Sequence, residues 1–244
     1  AKLKDDIFFS IPWGHHLIIL STCSEIQKAI YFLGESYNNG WSRSTLSNFL
    51  HTDLYERQGK GINNFNKIMP ESQSILADQL LKDPYNFDFI GLKQPYNESN
   101  LEESLTNHIT QFLIELGKGF AYVGRQVPLQ IGQDTIFIDL LFYHIELRCY
   151  IVIELKTVKF APSFVGQLGT YISAVNHLKK KQSDNQTIGL LICKSKNEIM
   201  AQYALEAVSQ PIGITQYKLE GNISKEIANQ LPSVQDITSS LINQ

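Results

Sequence analysis

The chain has 244 residues, 43% apolar and 18% charged, which is enough apolar material for one large core or two modest ones and too little charge for disorder. Its 21 basic and 24 acidic side chains leave a net charge of −3, so no global basic field exists and any phosphate contact must be local. The longest apolar runs, such as 17–20 and 188–193, fall far short of a membrane span, the start lacks a secretory pattern, and Cys23, Cys149 and Cys193 form no CxxC pair. No membrane contact, no disulfide framework and a cytoplasmic location are therefore expected.

The first ninety or so residues read as helical. Ile26, Ala29, Ile30 and Leu33 fall at helical spacing after Ser24, and Asn38, Asn39 and Gly40 close that segment. His15 and His16, adjacent on a helix, point about 100° apart and cannot serve one centre, so packing or capping roles are expected. A second helix starts at Ser42 and carries Leu46, Phe49 and Leu50. The polar stretch 57–66 predicts a loop, and 72–82 a third helix. Residues 83–100 are rich in Asn with two prolines, while Phe87, Phe89 and Ile90 offer anchors to a neighbour. A domain boundary is placed in this stretch, dividing the chain into 1–93, 94–220 and a tail over 221–244.

From Leu101, the residues Leu105, Ile109, Phe112, Leu113 and Leu116 continue one helical stripe, which Gly117 and Gly119 end. Extended runs follow over 120–131, 136–143 and 149–155, with a turn at Gly132, Gln133 and Asp134. The last two runs are apolar on both faces, the pattern of covered central strands. A helix over 162–181, a strand over 187–193, a helix over 197–208 and a strand over 212–217 complete the order. The fold class is α/β, a mixed sheet flanked by helices and preceded by a small all-α domain.

Polar residues inside apolar strands carry the chemistry, because burying an unpaired charge costs several kcal/mol. Asp139 interrupts one strand, and Glu154 and Lys156 interrupt the next. Residues two apart on a strand share a face, so Glu154 and Lys156 converge, with Asp139 within reach. Carboxylate oxygens suit Mg²⁺, which polarises a phosphoryl oxygen and acidifies a bound water, while a lysine offsets developing negative charge. A structural ion pair of Lys156 with Asp139 or Glu154 is the plain alternative. Lys179, Lys180 and Lys181 end a helix, where cations suit the dipole, and with Lys194 and Lys196 they are also candidates for tracking a phosphate backbone.

Asp139 followed fifteen residues later by Glu154, Leu155 and Lys156 resembles the D…ExK signature of PDDEXK nucleases, and Gln167 with Tyr171 resembles the QxxxY helix motif of their RecB-like branch. The longer strings IPWGHH at 11–16, GWSR at 40–43, FIDLLFYH at 137–144, VIELK at 152–156, LLICKSKN at 190–197 and PIGITQY at 211–217 are similar to the bacterial YhcG-like family over nearly the whole chain. The resemblance implies a restriction-endonuclease-like PDDEXK domain behind a partial N-terminal helical domain that binds DNA or a partner. After ExK the chain reads Thr157, Val158, Lys159 and Phe160, where members tend to carry a glycine and an acid.

A Mg²⁺-dependent endonuclease acting on DNA is the function implied, with Mn²⁺ as a substitute ion. RNA or a branched junction is a further candidate substrate, and a homodimer a candidate assembly. Glu102, Asp139, Glu154 and the Leu155 carbonyl are the implied metal ligands. Lys156 positions or activates the water, and Gln167 orients Lys156 or contacts the phosphate. The family takes an acid from its first helix, for which Glu98, Glu102 and Glu103 compete. At about 100° per residue, Glu102 lies at the margin of the apolar stripe and Glu103 near the opposite side, which favours Glu102. The rival reading is a catalytically silent PDDEXK-fold module for DNA binding or protein assembly.

Overall fold

The computed structural model describes residues 5–219, so the tail placed at 221–244 lies outside the described residues. Five helices come first: α1 (Asp5–Ser10), α2 (Trp13–Thr22), α3 (Ile26–Asn39), α4 (Arg43–His51) and α5 (Leu54–Arg57). Gly40 ends α3 in the left-handed region at φ 60°, where a glycine carries no Cβ penalty. Ser42 caps α4 by accepting the Thr45 N–H at 3.1 Å. Ile19, Phe32, Leu33, Leu46, Phe49 and Leu54 of α2 to α5 are buried in a common core, against which Ile7 of α1 packs. His15 and His16 belong to this packing, with Nε2 atoms 2.9 Å from the Trp41 carbonyl and 3.0 Å from the Phe8 carbonyl.

Next come β1 (Ile62–Asn63), α6 (Phe65–Ile68), α7 (Glu71–Leu80), β2 (Tyr85–Asn86) and a 3-10 turn at Asp88–Ile90. The stretch 57–66, expected as a loop, therefore contains a strand. β1 pairs antiparallel with a strand near the other end of the chain, Ile62 opposite Ile214. Asn64 fastens this join: its amide donates to the Gln210 carbonyl at 3.0 Å, and its Oδ1 accepts the Ile212 N–H at 2.8 Å. Two residues are too short to show a period-2 pattern, so alternation could not reveal this strand.

The expected helix from Leu101 to Leu116 is two, α8 (Glu98–Asn107) and α9 (Ile109–Leu116). The break falls at His108, whose backbone leaves the helical region and whose Nδ1 lies 2.9 Å from the Ser104 carbonyl. Both halves still face one core, because Leu101, Leu105, Phe112 and Leu116 are all buried in it. The remaining elements are β3 (Phe120–Ile131), β4 (Asp134–His144), β5 (Cys149–Lys159), α10 (Ser163–Leu178), β6 (Ile188–Ser195), α11 (Glu198–Glu206) and β7 (Ile212–Lys218).

These strands form a seven-stranded sheet in the order β1-β7-β6-β5-β4-β3, with β2 also on β7. β3, β4 and β5 run antiparallel, whereas β5, β6 and β7 are parallel and joined through α10 and α11. On β5, Ile151, Ile153 and Leu155 enter the core under α8 and α9, while Val152 enters the core under α10. Glu154 and Lys156 follow Val152 on that second face. Each buried Leu, Ile or Phe stabilises by about 1.5–3 kcal/mol.

Candidate active site

The site forms where β4 and β5 part. Their pairing runs from His144 opposite Cys149 to Leu140 opposite Ile153 and goes no further. Beyond that point the Leu155 N–H has no β4 carbonyl, and the Asp139 carboxylate takes its place by accepting at 3.0 Å through Oδ2. The fork places Asp139 beside the β5 segment that carries Glu154 and Lys156.

Glu154 is 1% exposed and Lys156 is 8% exposed. The Lys156 Nζ donates to Glu154 Oε1 at 2.8 Å, lies 3.5 Å from Glu98 Oε2, and stands 5.3 Å from the centre of the Phe164 ring. Glu154 Oε2, by contrast, is buried and has no hydrogen-bond partner. An unpartnered buried carboxylate oxygen is costly, and it points to a group that the protein alone does not supply.

Electrostatics follow from this crowding. Burial pushes the Glu154 carboxyl up to about 7, and the nearby Asp139 charge adds to the shift against the opposing pull of Lys156. Burial also raises Asp139, with the Leu155 N–H working the other way. Glu102 is raised by burial too, opposed by a hydrogen bond from Gln126. For Lys156 burial acts downward, but the carboxylates of Glu154, Glu98 and Asp139 outweigh it and hold the ammonium above its ordinary value. Lys156 is thus a charged donor in this arrangement.

Glu102 on α8 is 4% exposed and turns toward the fork, while Glu103 is exposed. Glu102 reaches Asp139 through a third side chain: Gln126 Nε2 donates to Glu102 Oε2 at 2.6 Å and to Asp139 Oδ1 at 3.4 Å. Gln167 on α10 is exposed, and its amide donates to the Tyr171 hydroxyl at 2.8 Å. That side chain therefore contacts Tyr171 in this arrangement. Burial raises the Tyr171 hydroxyl, with the Gln167 hydrogen bond opposing it and the charges of Glu154 and Asp139 adding to it.

Gln126 and Phe164 were not singled out by the sequence, and Glu98 appeared only as a rival to Glu102. Gln126 had a faint signal, since Gly124 and Pro128 flank it and both residues are disfavoured inside a strand. Of the lysines weighed as phosphate contacts, Lys196 is committed elsewhere, 2.5 Å from Asp83 with its side chain 2% exposed. Lys194 and Lys181 are exposed. Among the described residues, no three Asp, Glu, His or Cys side chains stand close enough together to hold a metal ion as they are arranged. The donors fit a hard divalent cation in kind: three carboxylates with raised pKa values and one orphaned oxygen, with no sulfur or imidazole.

A family model described as the YhcG PDDEXK nuclease domain matches residues 78–232. The chain is 32% identical over 232 residues to the Escherichia coli (strain K12) protein named "Putative nuclease YhcG", covering 94% of this chain and 62% of that protein's length. Among solved structures it is similar to a repair endonuclease from Pyrococcus abyssi, with 21% identity, 53% of this chain and 50% of that chain covered and a TM-score of 0.34. Similarity to the EndoMS-dsDNA2 complex is 19% identity, with 52% and 46% covered and a TM-score of 0.35. With the family model spanning more than half of its length and the fork holding Asp139, Glu154 and Lys156 together, the chain belongs to the YhcG family of PDDEXK nuclease domains.

Proposed function

We propose that this chain hydrolyses DNA phosphodiester bonds as a Mg²⁺-dependent endonuclease, with Mn²⁺ able to substitute. The observation that carries this reading is the fork itself, where the buried Glu154 carboxylate, the half-buried Asp139 carboxylate and the Lys156 ammonium meet and Glu154 leaves one buried oxygen unpartnered. Membership of the nuclease family supports it.

Glu102, Asp139, Glu154 and the Leu155 carbonyl would hold the cation. When bound, it would polarise the phosphoryl oxygen and acidify a water. Lys156, kept charged by its carboxylate neighbours, orients the attacking water and offsets the negative charge that develops on the phosphoryl oxygens. Glu98 and Phe164 keep its ammonium near Glu154 until substrate arrives. Gln167, one helical turn before Tyr171 and hydrogen-bonded to it, would orient Lys156 or contact the phosphate. The helical part over 1–93 supplies a surface for DNA or a partner, the nuclease part over 94–220 the chemistry, in a bacterial cytoplasmic setting and as a candidate homodimer.

The test is cleavage of circular, linear and branched DNA, with single-stranded RNA alongside, in Mg²⁺, Mn²⁺ or EDTA. Wild type should cut DNA only with a cation, and Glu154→Ala or Lys156→Ala should each lower the rate at least about a hundredfold. A wild type that binds DNA yet leaves every substrate intact with either cation would replace this reading with a silent binding module. Preferential cutting of RNA or of the branched substrate would replace the substrate alone.

A further inference from the structure

Gln126 is the most irregular residue at the fork. It lies on β3 between the pairs Arg125 opposite Leu140 and Val127 opposite Ile138, which puts it across from Asp139. Its φ is 48°, in the left-handed region, although it is not a glycine. A register shift between Tyr122 and Gly124 disturbs β3 just before it. A side chain in this backbone region carries strain of about 1–3 kcal/mol, which persists only where surrounding contacts hold it.

What the conformation achieves is visible in the hydrogen bonds. A primary amide has two N–H donors and no charge. Gln126 Nε2 donates to Glu102 Oε2 at 2.6 Å and reaches Asp139 Oδ1 in a longer contact at 3.4 Å. The two carboxylates come from α8 and β4, elements with no covalent reason to keep their acids at a set distance. Left alone they repel one another. An arginine or lysine at this position would bridge them too, but its positive charge would oppose a divalent cation. An aspartate or glutamate would add a third repelling charge. A neutral double donor is the side-chain type that gathers two carboxylates and leaves their combined charge for a cation.

We propose that Gln126 is a positioning residue that clamps Glu102 and Asp139 together as an oxygen pair for a divalent cation. The inference rests on the metal-dependent nuclease reading and adds to it a residue that no sequence motif supplies. Gln126 acts through the two acids and need not touch the substrate.

The experiment uses the full chain and Mn²⁺ as the probe ion, with affinity measured by isothermal titration calorimetry and cleavage kinetics alongside. Gln126→Gly removes the amide while suiting the left-handed backbone, so its Tm should equal or exceed that of the wild type. Its Mn²⁺ Kd should rise between about tenfold and a hundredfold, as for other residues that orient metal ligands. The kcat should fall with KM for DNA little changed. Gln126→Asn, which also tolerates this backbone but is one carbon shorter, provides a second folded variant and should show the same loss. Wild-type Mn²⁺ affinity in both variants overturns the proposal. So does a wild type that binds no Mn²⁺, or a titration that survives Asp139→Asn, since the ion then sits elsewhere. If Mn²⁺ affinity falls as expected while the loaded wild type cuts no nucleic acid, the clamp stands and the nuclease reading fails.

Discussion

Glu154 carries the sharpest consequence at the scale of single residues. Its carboxyl is raised from an ordinary 4.5 to about 7 by burial and by Asp139, so the folded protein prefers it protonated. Stability from this group is fully present below its ordinary pKa and is lost as pH rises through about 7. Between pH 5 and 8 the cation-free wild type should therefore lose about 1–3 kcal/mol that Glu154→Gln retains. Paired Tm measurements on the two proteins across that range check this, and curves that stay parallel would contradict it. A divalent cation demands the ionised form, so Mn²⁺ affinity should climb over the same interval. The identities of Asp139, Glu154 and Lys156 were legible in the sequence because a charge in an apolar strand is conspicuous. Burial, the largest influence on their ionisation, was not, and neither was the contact of Lys156 with Glu98, because both depend on how separate elements pack.

Helices and strands place these residues by close packing. α10, which carries Gln167 and Tyr171, lies on β6 where Gly189 has no side chain. A Cβ there would stand 2.7 Å from Ile172 Cδ1 and 2.9 Å from Leu168 Cδ2, both buried side chains of α10. Gly189→Ala should push α10 off the sheet and cost about 1–3 kcal/mol, the usual range for overpacking a core. Thermal denaturation reads the loss, and the cleavage rate should fall with it because the QxxxY pair moves away from the fork. An unchanged Tm would mean that α10 is seated less tightly than these distances require. Element type was plain in the sequence wherever a segment was long and periodic, as in α3, α10 and β5. The helix break at His108 was hidden because the apolar stripe continues across it.

Across the whole molecule, a buried polar network ties the N-terminal helices to the sheet. Arg57 at the end of α5 pairs with Glu115 on α9, each side chain 5% exposed, with Nη2 and Oε2 3.1 Å apart. Arg57 also donates to the Thr52 carbonyl at 2.8 Å and the Pro84 carbonyl at 3.2 Å. Glu115 accepts the Asn86 N–H at 2.9 Å, and Lys82 donates to the Leu116 carbonyl at 2.8 Å. Burial lowers the Lys82 ammonium to about 8 against the pull of Glu115. Residues before and after position 93, where the sequence suggests a domain boundary, thus share one network and one core, in which Phe65, Leu81 and Phe87 meet Leu101 and Phe112. Arg57→Ala leaves Glu115 buried without its cation and should destabilise by about 3–5 kcal/mol in urea denaturation. Arg57→Met combined with Glu115→Leu should cost less than Arg57→Ala alone, and a single-variant loss below about 1 kcal/mol would show that the pair is solvated. Among the described residues no helix is long and apolar enough to cross a membrane.

By itself the sequence determined the types of the long periodic elements, the shared face of Glu154 and Lys156, the two-sided burial of the central strands and the family. Each of these is written in local periodicity or in motif strings. Only the tertiary structure decided where β4 and β5 part, that β1 and β2 join β7, and that Gln126 stands between Glu102 and Asp139. Those features depend on register and contact between residues far apart in the chain, and a local pattern records the period of an element without recording its partner.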